Sequence, residues 1–176
     1  MHESLAASFC AHGTPLYGEI VSFLYREAEM LDDCQFGSWL ALFTEDTHYV
    51  MPVRTTQFRA TGDGFHDVAF FDENFVSLRT RVKRLETNFA WAETPPSRTR
   101  HFISNVLVEP ANKEDEFAVR SNFMVTRTRS DQGYQLFTGQ RQDILRRVED
   151  GTFKIAGRRI LIDQTTLSGS NLSVFF

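Results

Sequence analysis

At 176 residues, 41% hydrophobic and 24% charged, the chain is long enough for one core that buries about 70% of the surface its unfolded form exposes, so neither disulfide nor metal staples are needed for stability. A formal net charge of -4 argues against a nucleic-acid surface, and no apolar run reaches the length of a membrane span or follows a basic segment as a secretory leader does. Two cysteines, Cys10 and Cys34, make no disulfide framework, which leaves a cytoplasmic setting as the expectation.

Residues 1–14 read as an N-terminal arm, and residues 15–176 as a single domain. Thr14-Pro15 is a helix start, with Thr14 at the N-cap and Pro15 at the first helical position, where its missing N–H costs nothing. Leu16, Ile20, Phe23, Leu24 and Leu31 keep helical spacing and predict a first helix of about four turns. Asp32-Asp33 then reads as the cap of a second, shorter helix carrying Phe36, Trp39, Leu40 and Phe43. After the polar break Thr44-Glu45-Asp46, Thr47 to Met51 predicts a short strand closed by Pro52, at an edge or a strand end. Residues 54–71, with Gly62, Asp63 and Gly64, predict a long loop. A third helix follows from about Asp72, with Phe75, Leu78, Val82, Leu85 and Phe89 on one face and Arg79, Arg81, Lys83 and Arg84 as a solvated or partner-facing flank.

Pro95-Pro96 changes the character of the chain, from mostly helix before it to mostly sheet after it. Arg98-Thr99-Arg100-His101 leads basic side chains into the first of four strand-like runs, 101–109, 116–129, 134–148 and 152–167. Short polar turns join them, Asp150-Gly151 being a hairpin signal, so the prediction is an antiparallel meander. Phe117, Val119, Phe123 and Val125 share one parity and mark a core face. The later strands carry Gln140, Arg141, Gln142, Asp143, Arg146, Arg147, Arg158, Arg159 and Asp163. So many charges imply a face that is solvated or paired across a subunit boundary. Helices first and a long antiparallel sheet afterwards give the α+β class, with the helices on one side of a curved sheet. The 17 phenylalanines have no polar handle, which suits cores and subunit interfaces and makes an oligomer the expectation.

Cys10-Ala11-His12 is half of a Rieske cluster pattern, but Cys34 is followed by Gln35, Phe36 and Gly37, so the second half fails. Asp46-Thr47-His48 offers one carboxylate and one imidazole with no second histidine nearby to complete an iron triad. Neither a nucleophile turn nor a glycine-rich phosphate loop occurs. A cone of helices over a curved sheet can still hold a small ligand, where Asp32, Asp33, Tyr49 and His101 have the chemistry of a base and hydrogen-bond donors. The competing reading has Asp32 and Asp33 capping a helix and His101 pairing with a carbonyl or carboxylate. Arg98 and Arg100 suit either an anionic ligand or the carboxylates of a partner subunit.

FLYREAEMLDDCQFGSWLALFTEDTHYVMPVR (23–54), RLETNFAWAETPPSRTRHFISNV (84–106) and GSNLSVFF (169–176) resemble the small (beta) subunit of aromatic-ring-hydroxylating dioxygenases. The resemblance implies a cone-shaped fold like that of ketosteroid isomerase and nuclear transport factor, in a hexamer of three large and three small subunits. It also implies a non-catalytic structural role, with the Rieske cluster and mononuclear iron in the large (alpha) subunit. There dioxygen and electrons from NADH convert an arene to a cis-dihydrodiol, biphenyl-like, phenylpropanoate-like and fused-ring arenes being the expected class. The small subunit would hold no cofactor, metal or catalytic residue. On this reading Arg98, Arg100, His101, Arg141, Arg158, Arg159, Phe175 and Phe176 are candidates for subunit contacts. The alternative is an independent isomerase or dehydratase using Asp33, Tyr49 and His101.

Overall fold

The Thr14 side chain accepts the backbone N–H of Tyr17 at 3.4 Å, and Pro15 opens a helix, α1, that runs unbroken over Pro15–Asp32. At 18 residues it is a turn longer than its apolar spacing predicts, because it continues through Glu27 and Ala28 to Asp32. This computed structural model describes residues 10–54, 65–86, 97–128, 133–165 and 174–176. Asp33 is therefore the C-cap of α1 and not the start of the next helix. α2 (Phe36–Leu40) follows Cys34, which takes a left-handed turn with φ of 56°, and its N-cap Gln35 makes no side-chain capping bond.

The sheet begins earlier than expected. β1 spans Phe43–Arg54, so Thr44-Glu45-Asp46 is strand and not a break. Pro52 is an interior strand residue, and the register shifts on both sides of it supply the bulge that a residue without an N–H requires. β2 covers Phe65–Asn74 and pairs antiparallel with β1, which corrects the loop expected up to residue 71. The remainder of that loop, like Phe89 and Pro95-Pro96, lies outside the described residues. Asn74 caps α3 (Phe75–Glu86) by accepting the N–H groups of Val76 and Ser77, both at 3.0 Å.

β3 (Arg98–Pro110), β4 (Glu116–Thr128), β5 (Tyr134–Arg147) and β6 (Phe153–Ile162) form the antiparallel meander. At the 150–152 turn, Gly151 takes φ of 81° and the Asp150 carboxylate accepts from the N–H and hydroxyl of Thr152. The full strand order is β2-β1-β6-β5-β4-β3, and β1 joins β6 in parallel. Register shifts interrupt three of the pairings besides β1–β2, including one at Asn105, whose φ is 52°. Such bulges bend strands, and the curved sheet wraps around α1, α2 and the segment 174–176. Ile20, Leu24, Trp39, Tyr49, Met51, Leu78, Leu145, Ile155 and Phe176 are buried together at the centre. No helix among the described residues is long and apolar enough to cross a membrane.

Candidate functional site

The interior of the cone is where polar chemistry and burial coincide. Along β5 the inward side chains are Phe137, Arg141, Asp143 and Leu145, and on β4 they include Ser121 and Phe123. β6 starts with Phe153 and Ile155 facing inward, and the register shift opposite Ile144/Leu145 then exchanges the faces, so that Arg158, Ile160 and Ile162 point in. This places Arg158 beside Asp143, its cross-strand partner on β5.

Arg158 is saturated. Its Nε donates to Asp143 Oδ1 at 2.8 Å, Nη2 donates to Asp143 Oδ2 at 2.9 Å and Glu27 Oε2 at 3.0 Å, and Nη1 donates to Glu27 Oε1 and to the Phe176 carbonyl oxygen at 3.0 Å. The planar fork suits such two-sided bidentate pairing, which a lysine cannot reproduce. Glu27 also accepts from Trp39 Nε1 at 3.0 Å and lies 3.2 Å from Arg141 Nη1. Two guanidiniums and two carboxylates thus close a neutral cluster with no access to solvent. Burial alone would raise the Glu27 pKa, but the charges of Arg141 and Arg158 and the hydrogen bonds from Arg158 and Trp39 outweigh it and bring it to about 2. Arg158 is held charged by Asp143 and Glu27 against the same desolvation. Arg141 is less well served: its Nε and Nη2, and the hydroxyls of Ser121 and Thr47, have no hydrogen-bond partner within the described residues.

The second cluster holds His101. Asp32 at the last turn of α1 accepts the backbone N–H of His101 at 3.0 Å and its ring Nδ1 at 2.6 Å, while Nε2 lies 3.0 Å from the Phe175 carbonyl oxygen. Both ring nitrogens thus lie within hydrogen-bonding distance of an oxygen, which fixes the ring's orientation. Burial raises the Asp32 pKa, yet the hydrogen bonds and charge of His101 leave it lowered on balance.

Between the two clusters lies the chain's own tail. Tyr49 Oη accepts the Phe176 N–H at 3.2 Å and donates to the Phe176 carbonyl at 3.3 Å. Burial raises the Tyr49 pKa, as expected of a phenol used only as a neutral hydrogen-bonding group. The Phe176 ring packs against Phe123 and Phe137 with centroids 5.3 and 5.5 Å away, and Phe175 lies on Trp39 at 4.4 Å. Among the described residues two phenylalanines stand in this interior, and the groups suited to act on a ligand there are bonded to their backbone.

The sequence-predicted residues separate accordingly. Tyr49, His101 and Asp32 do meet at the interior, whereas Asp33 is exposed on the far side of the helix end and joins neither cluster. Arg141 and Arg158, expected at a subunit boundary, are instead used inside this chain, because the sheet curls their strands around the buried Glu27. Phe175 and Phe176 are likewise buried against the chain's own core, 3% and 1% exposed. His101 too is buried, while Arg98 and Arg100 stand on the outward face of β3 and Arg159 is half-buried on β6. Cys10 bonds Thr14, Cys34 is exposed, and among the described residues no three His, Cys, Asp or Glu side chains come together to hold a metal ion. Glu27 was missed. Its signal was position: it falls three after Leu24 and four before Leu31, in the middle of a buried stripe where a carboxylate must have a partner.

Comparison with known proteins decides the kinship. Residues 26–169 match the family described as "Ring hydroxylating beta subunit". The chain belongs to that family. This beta subunit is 41% identical to the benzene 1,2-dioxygenase subunit beta of Pseudomonas putida and 43% identical to the biphenyl 2,3-dioxygenase subunit beta of Rhodococcus jostii (strain RHA1), each alignment covering 92% of this chain and 89% of the relative. In structure it superposes on a chain of naphthalene 1,2-dioxygenase with indole bound in the active site, with TM-score 0.84 and 26% identity over 94% of this beta subunit and 88% of that chain. A putative scytalone dehydratase from Novosphingobium aromaticivorans, TM-score 0.63 at 18% identity, shares the fold. It covers 89% of each chain. The cone-shaped α+β architecture expected from the sequence is thereby established.

Proposed function

We propose that this beta subunit is the non-catalytic, structural component of a terminal oxygenase that adds both atoms of dioxygen to an arene, giving a cis-dihydrodiol. The observation that carries the reading is the filled interior: Tyr49, His101 and Arg158 are each bonded to the backbone of Phe175 or Phe176, so the groups suited to acid–base work hold the chain together instead. The arene is of the benzene, biphenyl or naphthalene kind that the relatives' names carry. The Rieske cluster and mononuclear iron belong, on this reading, to the alpha subunit, and three copies of each subunit form a hexamer.

Support for the partner surface comes from the outer face of the sheet. Phe102 on β3, Met124 opposite it on β4 and Leu136 on β5 are 50%, 38% and 43% exposed and lie together, with Arg98 and Arg100 preceding Phe102 on the same face. An apolar centre rimmed by arginine is the usual composition of an interface core. The test is co-expression with the matching alpha subunit: a hexamer whose iron content follows the alpha subunit, and whose turnover per iron is unchanged by Asp33→Asn or Tyr49→Phe, is the expected outcome. A chain that stays monomeric beside that partner, or that turns over substrate alone, would end the proposal.

A further inference from the structure

Residues 174–176 sit in the cone as a bound peptide does. Every element around them contributes: Phe36 and Trp39 of α2, Tyr49 of β1, Arg81 of α3, His101 of β3, Phe123 of β4, Phe137 of β5 and Arg158 of β6. Three polar side chains clasp the tail's backbone, while rings line the places of its two side chains. Tyr49 reads both the N–H and the carbonyl of Phe176, His101 Nε2 reads the carbonyl of Phe175 and Arg158 Nη1 that of Phe176, a pattern that fixes chain direction and register. Those three are themselves positioned from behind by groups outside the tail: Asp32 holds His101, Glu27 with Asp143 holds Arg158, and the rings of Trp39, Phe43 and Phe71 pack on Tyr49. The receptor is therefore organised independently of its occupant.

We propose that the interior of the cone is a binding site for a short peptide with two adjacent aromatic side chains, filled in cis by Val174-Phe175-Phe176 and able to exchange it for the same tripeptide from solution. The site is a property of this chain's fold and does not depend on its role in the oxygenase. A site with directional backbone hydrogen bonds and two ring pockets discriminates by side chain, so an alanine-bearing peptide binds far less well.

The experiment uses the full chain with a protease site placed within residues 166–173, folded intact and then cut. The tail should remain bound through gel filtration and exchange with excess fluorescent acetyl-Val-Phe-Phe, while acetyl-Val-Ala-Ala fails to compete at a hundredfold higher concentration. Full-length Tyr49→Phe, cut in the same way, should release its tail at least tenfold faster while keeping the native circular dichroism. Loss of the tail on cutting with the fold unchanged would overturn the proposal, and so would a tail that never exchanges short of unfolding, or equal competition by the alanine peptide.

Discussion

Replacing Glu27 by Gln keeps the side-chain volume and removes one charge from a cluster that is neutral as built. Arg158 and Arg141 would then share Asp143 as their one side-chain carboxylate, with the Phe176 main-chain oxygen still on Arg158 Nη1, and one Glu27 oxygen becomes an amide N–H facing guanidinium donors where there is no solvent to relieve it. Breaking one partner of a buried ion pair costs about 3–5 kcal/mol. For a chain of this length, that corresponds to a fall in Tm of roughly 10 °C. The measurement is urea unfolding and differential scanning calorimetry of Glu27→Gln beside wild type. Arg158→Met in the same background restores neutrality, so the double variant should be more stable than the sum of the two single losses implies, by at least 1 kcal/mol or so of coupling.

A pH arm checks the same cause. With its pKa at about 2, against an ordinary 4.5, Glu27 contributes stability that is complete above about 4.5 and is lost as pH falls toward 2. The difference between wild type and Glu27→Gln should therefore be constant above pH 5 and shrink below 4. A loss under 1 kcal/mol, strict additivity in the cycle, or a difference that grows on acidification would refute the argument that a closed, neutral cluster holds the cone.

Other expectations follow from single contacts. Asp32→Asn removes the charged acceptor of His101 and should cost about 2 kcal/mol, with faster proteolysis of the tail as the companion readout. If the tail stays as protected as in wild type, His101 does not position it. Gly139→Ala would set a Cβ 2.4 Å from the Leu161 carbonyl oxygen and 3.0 Å from Ile162 Cα, both backbone atoms of the neighbouring strand, so strand β5 or β6 must shift at a cost of about 3 kcal/mol or more. Equal urea midpoints for the two proteins would contradict it. Phe102→Asp, on the outer face, should leave the thermal stability of the isolated chain within about 0.5 kcal/mol yet prevent assembly with the alpha subunit, as read by gel filtration. Normal assembly would move the proposed interface elsewhere.

Legibility differed between the site and the scaffold. Tyr49, His101 and Asp32 were recognisable because their side chains have the chemistry of a base and hydrogen-bond donors, and their meeting at one place needed only the expected cone. Asp33 was a natural companion on the page because it adjoins Asp32, yet a helix turns 100° per residue, and α1 continues one residue too far for both carboxylates to face inward. Residues 65–71 looked like loop because their pairing partner is β1, already interrupted by Pro52, so no local alternation announced it.

Sequence alone settled the class and, β2 excepted, the chain order of elements, since Pro15, Asp150-Gly151 and the apolar periodicities act over a few residues and require no distant partner. It also settled kinship, carried by long stretches of matching residues. Only the tertiary structure decided which way the charges point. One added residue in β6 exchanges the faces of that strand and turns Arg158 inward, and bringing Glu27 of α1 against Arg141, Asp143 and Arg158 joins groups up to 131 positions apart. Periodicity reports the face a side chain would take on an ideal element; a bulge and a long-range closure reset that face, and neither is written in the local spacing.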